Sequence, residues 1–568
     1  MKILHSLFTK SSIVFSAVLL GLFALAASAQ AVPAAEPCLD QIDQLECLTV
    51  EVPLDRSGSV GGTARIQAVK LLAQEGPRLG TLVVLAGGPG QSSSSILEDV
   101  AWMLAGAERY DIVAVDQRGT GYSEPLNCLS LARATVIGGS DPTKDKPITS
   151  CANDLGGARA AYNTEEAAAD LDAVRVALGL DTWTVFGVSY GTKLALAYAG
   201  AFPTHVRSML LDSVLPLDGP EALDTTSTAA MRRSLGQVCS DNRCKSFLPT
   251  PVSTTTAFVK QLESDPVIGY RADSDGKYNK VKVTPSSLYE TFFAADFNPF
   301  IYTQMPAAIA SARRGDTDML VRMQTISEGG SNLHVAPPLS GKLPRKIHSH
   351  GTAFSDAMYF ATTCEDLAAP WARGAALGSR QPAIDAAAAA VPDNLYRPFD
   401  RKTVKDESSA SACRGWPESA VAPTLPSTMP NVPTLILNGS LDVRTPTAWA
   451  QRVAATLPNA QLVEIPNVGH STTGTDLSSC SLSLARRFLI FGSTSGKCKR
   501  TTPSVPVQKP APMSVTSVEP LRGSCRKAGK PRRCRGLRKS VTAGYLAMHD
   551  AVDQLVIGGA TDGLGLRG

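Results

Sequence analysis

No C-x-x-C pair occurs among the twelve cysteines, and the chain has only seven histidines, so the ligand spacings of structural zinc sites are missing. A G-x-x-x-x-G-K-[ST] loop is also absent, which removes the usual cradle for nucleotide phosphates. Beyond the N-terminus no apolar run reaches the ~20 residues of a bilayer span. No internal repeat is evident, which sets aside solenoids and propellers. Excess charge is scarce as well: the formal total is only +4. Residues 522–539 carry nine Lys/Arg and no Asp/Glu, leaving −5 for everything else. A basic surface over the whole protein is therefore not implied. The basic run also lacks the interleaved aromatics on which bases stack, so no nucleic-acid partner is expected.

With 568 residues the chain can bury a large core and hold two or three domains. Lys2 and Lys10 flank the start of an apolar stretch over residues 13–27, and Ala27-Ser28-Ala29 is an A-x-A cleavage site. This predicts a signal peptide over 1–29 and a secreted or periplasmic protein with no membrane span after its removal. An even number of cysteines in an exported chain favours disulfides. The simplest pairing joins sequence neighbours: Cys38/Cys47, Cys128/Cys151, Cys239/Cys244, Cys364/Cys413, Cys480/Cys498 and Cys525/Cys534.

Apolar, β-prone runs at 66–72, 81–85, 111–115, 183–188 and 209–212 alternate with helical patterns at 96–107, 164–178 and 192–201. Asn163 with Glu166 resembles a capping box, and Ala168, Leu171, Val174 and Leu178 follow at helical spacing. Strands alternating with helices predict an α/β fold with a mostly parallel sheet covered on both faces. The pattern breaks after Pro216. About 200 residues follow with few strand runs, and strand signals return at 434–437 and 461–465. The expected organisation is a core in two parts, 38–216 and 429–500, split by a mainly helical insertion over 217–428. Four prolines in 501–512 mark a linker, and 513–568 form a basic C-terminal segment with a short helix near 541–555.

Gly187-Val188-Ser189-Tyr190-Gly191 is a G-x-S-x-G stretch between a predicted strand and a predicted helix. Two glycines permit a tight strand-to-helix turn, which lifts the Ser189 hydroxyl above the sheet at the positive end of the helix. A serine hydroxyl is a weak nucleophile until an imidazole takes its proton and a carboxylate fixes that imidazole's tautomer. Asp442 and His470 each follow a predicted strand, and the order Ser189, Asp442, His470 is that of α/β-hydrolases. Asp476 is a rival acid, but it lies after the histidine. A strand also runs into Gly87-Gly88-Pro89-Gly90. There a backbone N–H, expected to be that of Gly88, can join the N–H of Tyr190 as an oxyanion hole. This chemistry needs neither a metal nor a cofactor.

Gly87-Gly88-Pro89-Gly90, Asp116-Gln117-Arg118-Gly119-Thr120-Gly121-Tyr122-Ser123 and Gly187–Thr192 together resemble the prolyl aminopeptidase / tripeptidyl aminopeptidase family of α/β-hydrolases. Residues 438–446, Gly469-His470 and Val52-Pro53-Leu54-Asp55 extend the likeness over roughly residues 38–500. Ala86 departs from the small prolyl aminopeptidases, which carry histidine there. The resemblance implies an α/β-hydrolase fold with a cap insertion and release of short peptides or residues from free N-termini. It also implies carboxylates that receive an α-ammonium, for which Glu365 and Asp366 beside Cys364 are the candidates. Asp116 and Arg118 are read as ordering the loop beside the oxyanion turn. An exported carboxylesterase with the same triad, and a binding protein on an inactive scaffold, are the competing readings. The basic tail could touch an anionic cell surface or be a solvated loop.

Overall fold

A computed structural model describes residues 36–37, 45–104, 106–132, 142–272, 278–328, 353–498, 507 and 509–510. The expected signal peptide, most of the expected linker, the basic segment with its expected helix, and the Cys525/Cys534 couple lie outside the described residues, as does Cys38. Eleven strands occur among those described: β1 (Glu36–Pro37), β2 (Leu45–Pro53), β3 (Thr63–Leu71), β4 (Gly80–Leu85), β5 (Tyr110–Val115), β6 (Trp183–Val188), β7 (Val206–Asp212), β8 (Val267–Ala272), β9 (Tyr278–Val283), β10 (Thr434–Gly439) and β11 (Ala460–Ile465). Nine of them form one sheet in the order β1-β2-β3-β5-β4-β6-β7-β10-β11, and β8-β9 make a separate hairpin. From β5 to β11 every neighbouring pair is parallel, while β1, β2 and β3 join antiparallel at the other edge.

The period-2 alternation of β4 sorts its side chains onto two cores. Val83 and Leu85 enter the cluster beneath the helices Thr164–Ala177, Tyr190–Ala201 and Thr447–Thr456. Leu82 and Val84 enter the opposite one, under Leu97–Met103 and Cys480–Phe491. The inner parallel strands β4, β5 and β6 are thus buried on both faces, as their apolar runs require, while the edge strand β11 buries only Val463 and Ile465 fully. Asn163 caps the Thr164–Ala177 helix by accepting from Glu166 N–H at 2.9 Å. The return bond of a capping box is not made. Instead the Glu166 carboxylate pairs with Arg56 and Arg118.

β7 and β10 are sheet neighbours, although the chain between them is long. That intervening chain packs a third core of its own, which includes Phe258, Leu288, Phe292, Ile309 and Tyr396. Leu441 and Val443, the residues on either side of Asp442, belong to this third cluster. The insertion therefore rests on the loop that carries the candidate acid. Four strands escape the sequence reading, among them the two-residue β1. The β8-β9 hairpin lies inside the insertion, and in β2 Glu46 and Glu51 interrupt the apolar residues near the sheet edge.

Disulfides join Cys128–Cys151, Cys239–Cys244, Cys364–Cys413 and Cys480–Cys498, the nearest-neighbour pairing. Cys47 is also disulfide-bonded. Among the described residues no helix is long and apolar enough to cross a membrane.

Candidate active site

Ser189 sits between β6 and the Tyr190–Ala201 helix with φ 57° and ψ −125°. A positive φ is costly for a residue with a Cβ, and such strain persists only where the surroundings enforce it. Here they do. A Cβ on Gly187 would lie 2.6 Å from the Gly191 carbonyl oxygen, and one on Gly191 would lie 2.1 Å from that of Leu85. Only glycine at both positions lets the turn close this tightly. The Ser189 N–H donates to the Asp212 carbonyl at 2.9 Å, and the Thr192 hydroxyl donates to the Ser189 carbonyl at 2.6 Å. The hydroxyl is thereby presented at the carboxyl ends of the parallel strands, where open α/β sheets bind ligands.

His470 follows β11 and Asp442 follows β10, and both are buried. His470 Nδ1 lies 3.0 Å from Asp442 Oδ2. The other Asp442 oxygen accepts from the Thr445 N–H at 2.8 Å, and the Thr445 hydroxyl donates to Oδ2 at 2.8 Å. With Nδ1–H committed to the carboxylate, the lone pair falls on Nε2, the tautomer a general base needs. Burial opposes charge on His470, but Asp442, by its charge and its hydrogen bond, and then Asp296 outweigh it. The imidazole is held above its ordinary 6.5.

Asp212, at the end of β7, ties the nucleophile turn to the histidine loop. Its carbonyl holds the Ser189 N–H, and its carboxylate accepts from the N–H groups of Thr472 and Thr473, each at 2.8 Å. Ser213 next to it accepts from the Ser471 N–H at 2.9 Å. Asp212 is thus a strand-end carboxylate spent on the loop, while Asp442 is the one that meets the imidazole. The rival Asp476 caps the last helix through the Ser481 N–H at 2.8 Å. Ser189 Oγ and His470 make no direct hydrogen bond among the described residues. Such contacts often tighten only around substrate.

The glycine turn after β4 lies against the nucleophile: the Cβ position of Gly87 is 3.1 Å from Ser189 Cβ. Gly88 is exposed with φ +104°, and Tyr190 begins the helix. Tyr190 is anchored beneath the site, where its hydroxyl meets Thr164 Oγ1 at 2.8 Å and accepts from Gln117 at 2.9 Å. The insertion covers this turn through a bridge between Gln91 and Phe354, and the Ser355 N–H donates to the Gly90 carbonyl at 2.9 Å.

Glu365 and Asp366, the expected ammonium ligands, both have partners within the protein. Both side chains are only 1% exposed. Asp366 pairs with buried Lys193 at 3.2 Å and accepts from the Thr164 hydroxyl. Glu365 accepts from Trp416 Nε1 at 3.2 Å and from the Ser419 N–H, and pairs with Arg373. Both carboxylates thus carry partners inside the protein, and Asp366 also lines a cavity with Leu367, Trp371 and Arg373. Asp366 thereby ties the insertion to the core, while Glu365 binds the insertion to itself. Asp116 and Arg118 do order their loop. Asp116 accepts from the N–H groups of Ser94 and Tyr122, and Arg118 pairs with Asp170 at 2.6 Å.

Sequence reasoning passed over Asp212, Arg444 and Asp296. The first shares the strand-end signal of Asp442, and the second shares its loop. Nothing local marks Asp296, which a long excursion of the chain brings to the His470 loop.

The sheet order, the strained serine turn and the buried Asp442–His470 pair define an α/β-hydrolase. Residues 80–236 match the family described as "alpha/beta hydrolase fold", and residues 399–499 match "TAP-like protein". The chain is 25% identical over 481 residues to a tripeptidyl aminopeptidase of Streptomyces coelicolor, covering 80% of this chain and 82% of that one. It is 34% identical over 187 residues to the serine protease Hip1 of Mycobacterium tuberculosis, covering 30% of this chain and 36% of that one. These similarities support a TAP-like α/β-hydrolase, and the protein is a serine hydrolase.

Proposed function

We propose that this protein is an exported aminopeptidase that releases short peptides or single residues from free N-termini through an acyl-enzyme on Ser189. The Asp442–His470 pair, held with the strained Ser189 turn through Asp212, carries the reading. In the proposed reaction His470 Nε2 takes the Ser189 proton as Oγ attacks the scissile carbonyl. The N–H groups of Gly88 and Tyr190 receive the oxyanion. His470 then returns the proton to the leaving amine; water next attacks the ester carbonyl as His470 takes its proton, and Ser189 Oγ leaves, recovering that proton from His470 and freeing the acid. Asp442 stabilises the imidazolium that forms at each stage.

The similarity to the Streptomyces tripeptidyl aminopeptidase supports a peptide substrate. Four disulfides among the described residues support an oxidising compartment. The internal commitment of Glu365 and Asp366 favours a second reading, a carboxylesterase with the same triad, since the expected ammonium ligands are taken. Mass-spectrometric product analysis of one peptide with a free or an acetylated N-terminus separates the two. The aminopeptidase predicts cleavage near the free N-terminus and none of the acetylated form. Equal handling of both forms, or turnover of p-nitrophenyl esters alone, would reject it.

A further inference from the structure

The triad chemistry leaves one fully buried carboxylate without a task. Asp296 lies in the short turn Ala295–Phe297 of the insertion, far along the chain from any core element. Its carbonyl accepts the His470 N–H at 2.8 Å. Its carboxylate accepts the Arg444 N–H at 3.1 Å, that of Val443 at 3.4 Å, and Arg444 Nε at 3.0 Å. Oxygens of Asp296 and Asp442 and a ring nitrogen of His470 all lie within 4.8 Å of one another. The approach is so close that a Cβ on Gly469 would sit 1.8 Å from the Asp296 carbonyl oxygen.

Arg444 is the second part of this arrangement. Its guanidinium stacks over Phe293 and Phe297 at 4.1 and 4.4 Å, and Phe297 meets the His470 ring edge-on at 5.2 Å. A cation this close to a general base would disfavour the imidazolium unless a carboxylate balanced it. Asp442 cannot serve both partners, since its oxygens are taken by His470 and Thr445.

We propose that Asp296 is a positioning residue for the histidine: the insertion delivers it so that the His470 main chain is fixed and the adjacent Arg444 charge is paired off. The proposal rests on the reading of His470 as the base. The charged groups acting on the imidazole are Asp442, Asp296 and Arg444, and those acting on Asp296 are Arg444, His470 and Asp442. The strength of the base is then set jointly by the core and by a residue of the insertion, and it depends on that turn remaining docked.

The test is an NMR titration of the His470 ring in the full-length Ser189→Ala protein, with and without Asp296→Asn. Asparagine keeps an acceptor for the 443–444 N–H groups but loses the charge and uncovers Arg444. The titration midpoint should fall by about one pH unit, a tenfold loss of proton affinity. Arg444→Gln should raise it, and the double variant should return close to the parent. In enzyme that retains Ser189, the acid limb of kcat/KM should move in the same direction. An unmoved or raised midpoint in Asp296→Asn overturns the proposal. If that variant fails to fold, Arg444→Gln decides: an upward shift supports the proposal and no shift overturns it. Hydrolysis surviving in Ser189→Ala would instead defeat the catalytic reading, and the ring titration would still report the field.

Discussion

Replacing Gly191 with alanine would place a Cβ 2.1 Å from the Leu85 carbonyl oxygen and 2.7 Å from that of Ala86. Both are backbone atoms at the end of β4, where the chain enters the glycine turn, so no flexible side-chain tip can swing aside. Reaching an ordinary 3.4 Å contact needs a separation of roughly 1.3 Å between the serine turn and that strand. Overpacking of this kind costs about 1–3 kcal/mol. The kinetic effect should be larger, because a 1 Å misplacement of reacting groups costs on the order of 100-fold. Both the nucleophile and its oxyanion donors ride on the two segments being forced apart. The assay is kcat/KM on a p-nitrophenyl ester beside the thermal unfolding midpoint. Gly236→Ala is the control, since that helical position has nothing within 4 Å. It should leave kcat/KM unchanged and stabilise by up to about 1 kcal/mol. A Gly191→Ala enzyme matching wild type in both measurements would refute the account of the turn.

Asp442→Asn should lower kcat by about 10⁴-fold with little change in KM, because the amide no longer fixes the imidazole tautomer. A drop of less than tenfold in steady-state kinetics would place the acid elsewhere. His470 is held above 6.5 and must be neutral to act, so kcat/KM should rise with pH along an acid limb whose midpoint lies above 6.5. A raised histidine contributes stability below its unfolded value and loses it as pH rises through the folded one. The protein should therefore give up that contribution over the window in which it becomes active, and denaturant titrations across it would show this. Asp366→Asn strands buried Lys193 and should cost about 3–5 kcal/mol, while affecting free and acetylated peptides alike. A KM increase confined to free-amine peptides would restore the ammonium role.

The core of the fold was legible because its strands are buried on both faces and its turns need glycine. β4, β6, β7 and β10 announce themselves as apolar runs, β11 as an alternating one, and the serine, acid and histidine each stand just past a strand end. β2 was not legible, since glutamates interrupt its apolar positions where an edge-side strand meets solvent. The internal partners of Glu365 and Asp366 were not legible, for a physical reason. Local sequence shows two acids beside a cysteine but cannot show that Lys193, Arg373 and Trp416 arrive from elsewhere to consume them. Asp296 illustrates the same limit in reverse. Its meeting with His470 depends on how a separate core of the insertion packs around Leu441 and Val443.

Covalent capture at Ser189 tests the central claim most directly. A fluorophosphonate incubated with the full-length protein should give one adduct, mapped by peptide mass spectrometry to the peptide containing Ser189, and Ser189→Ala should give none. An adduct on any other residue, or labelling that survives in Ser189→Ala, would contradict the account.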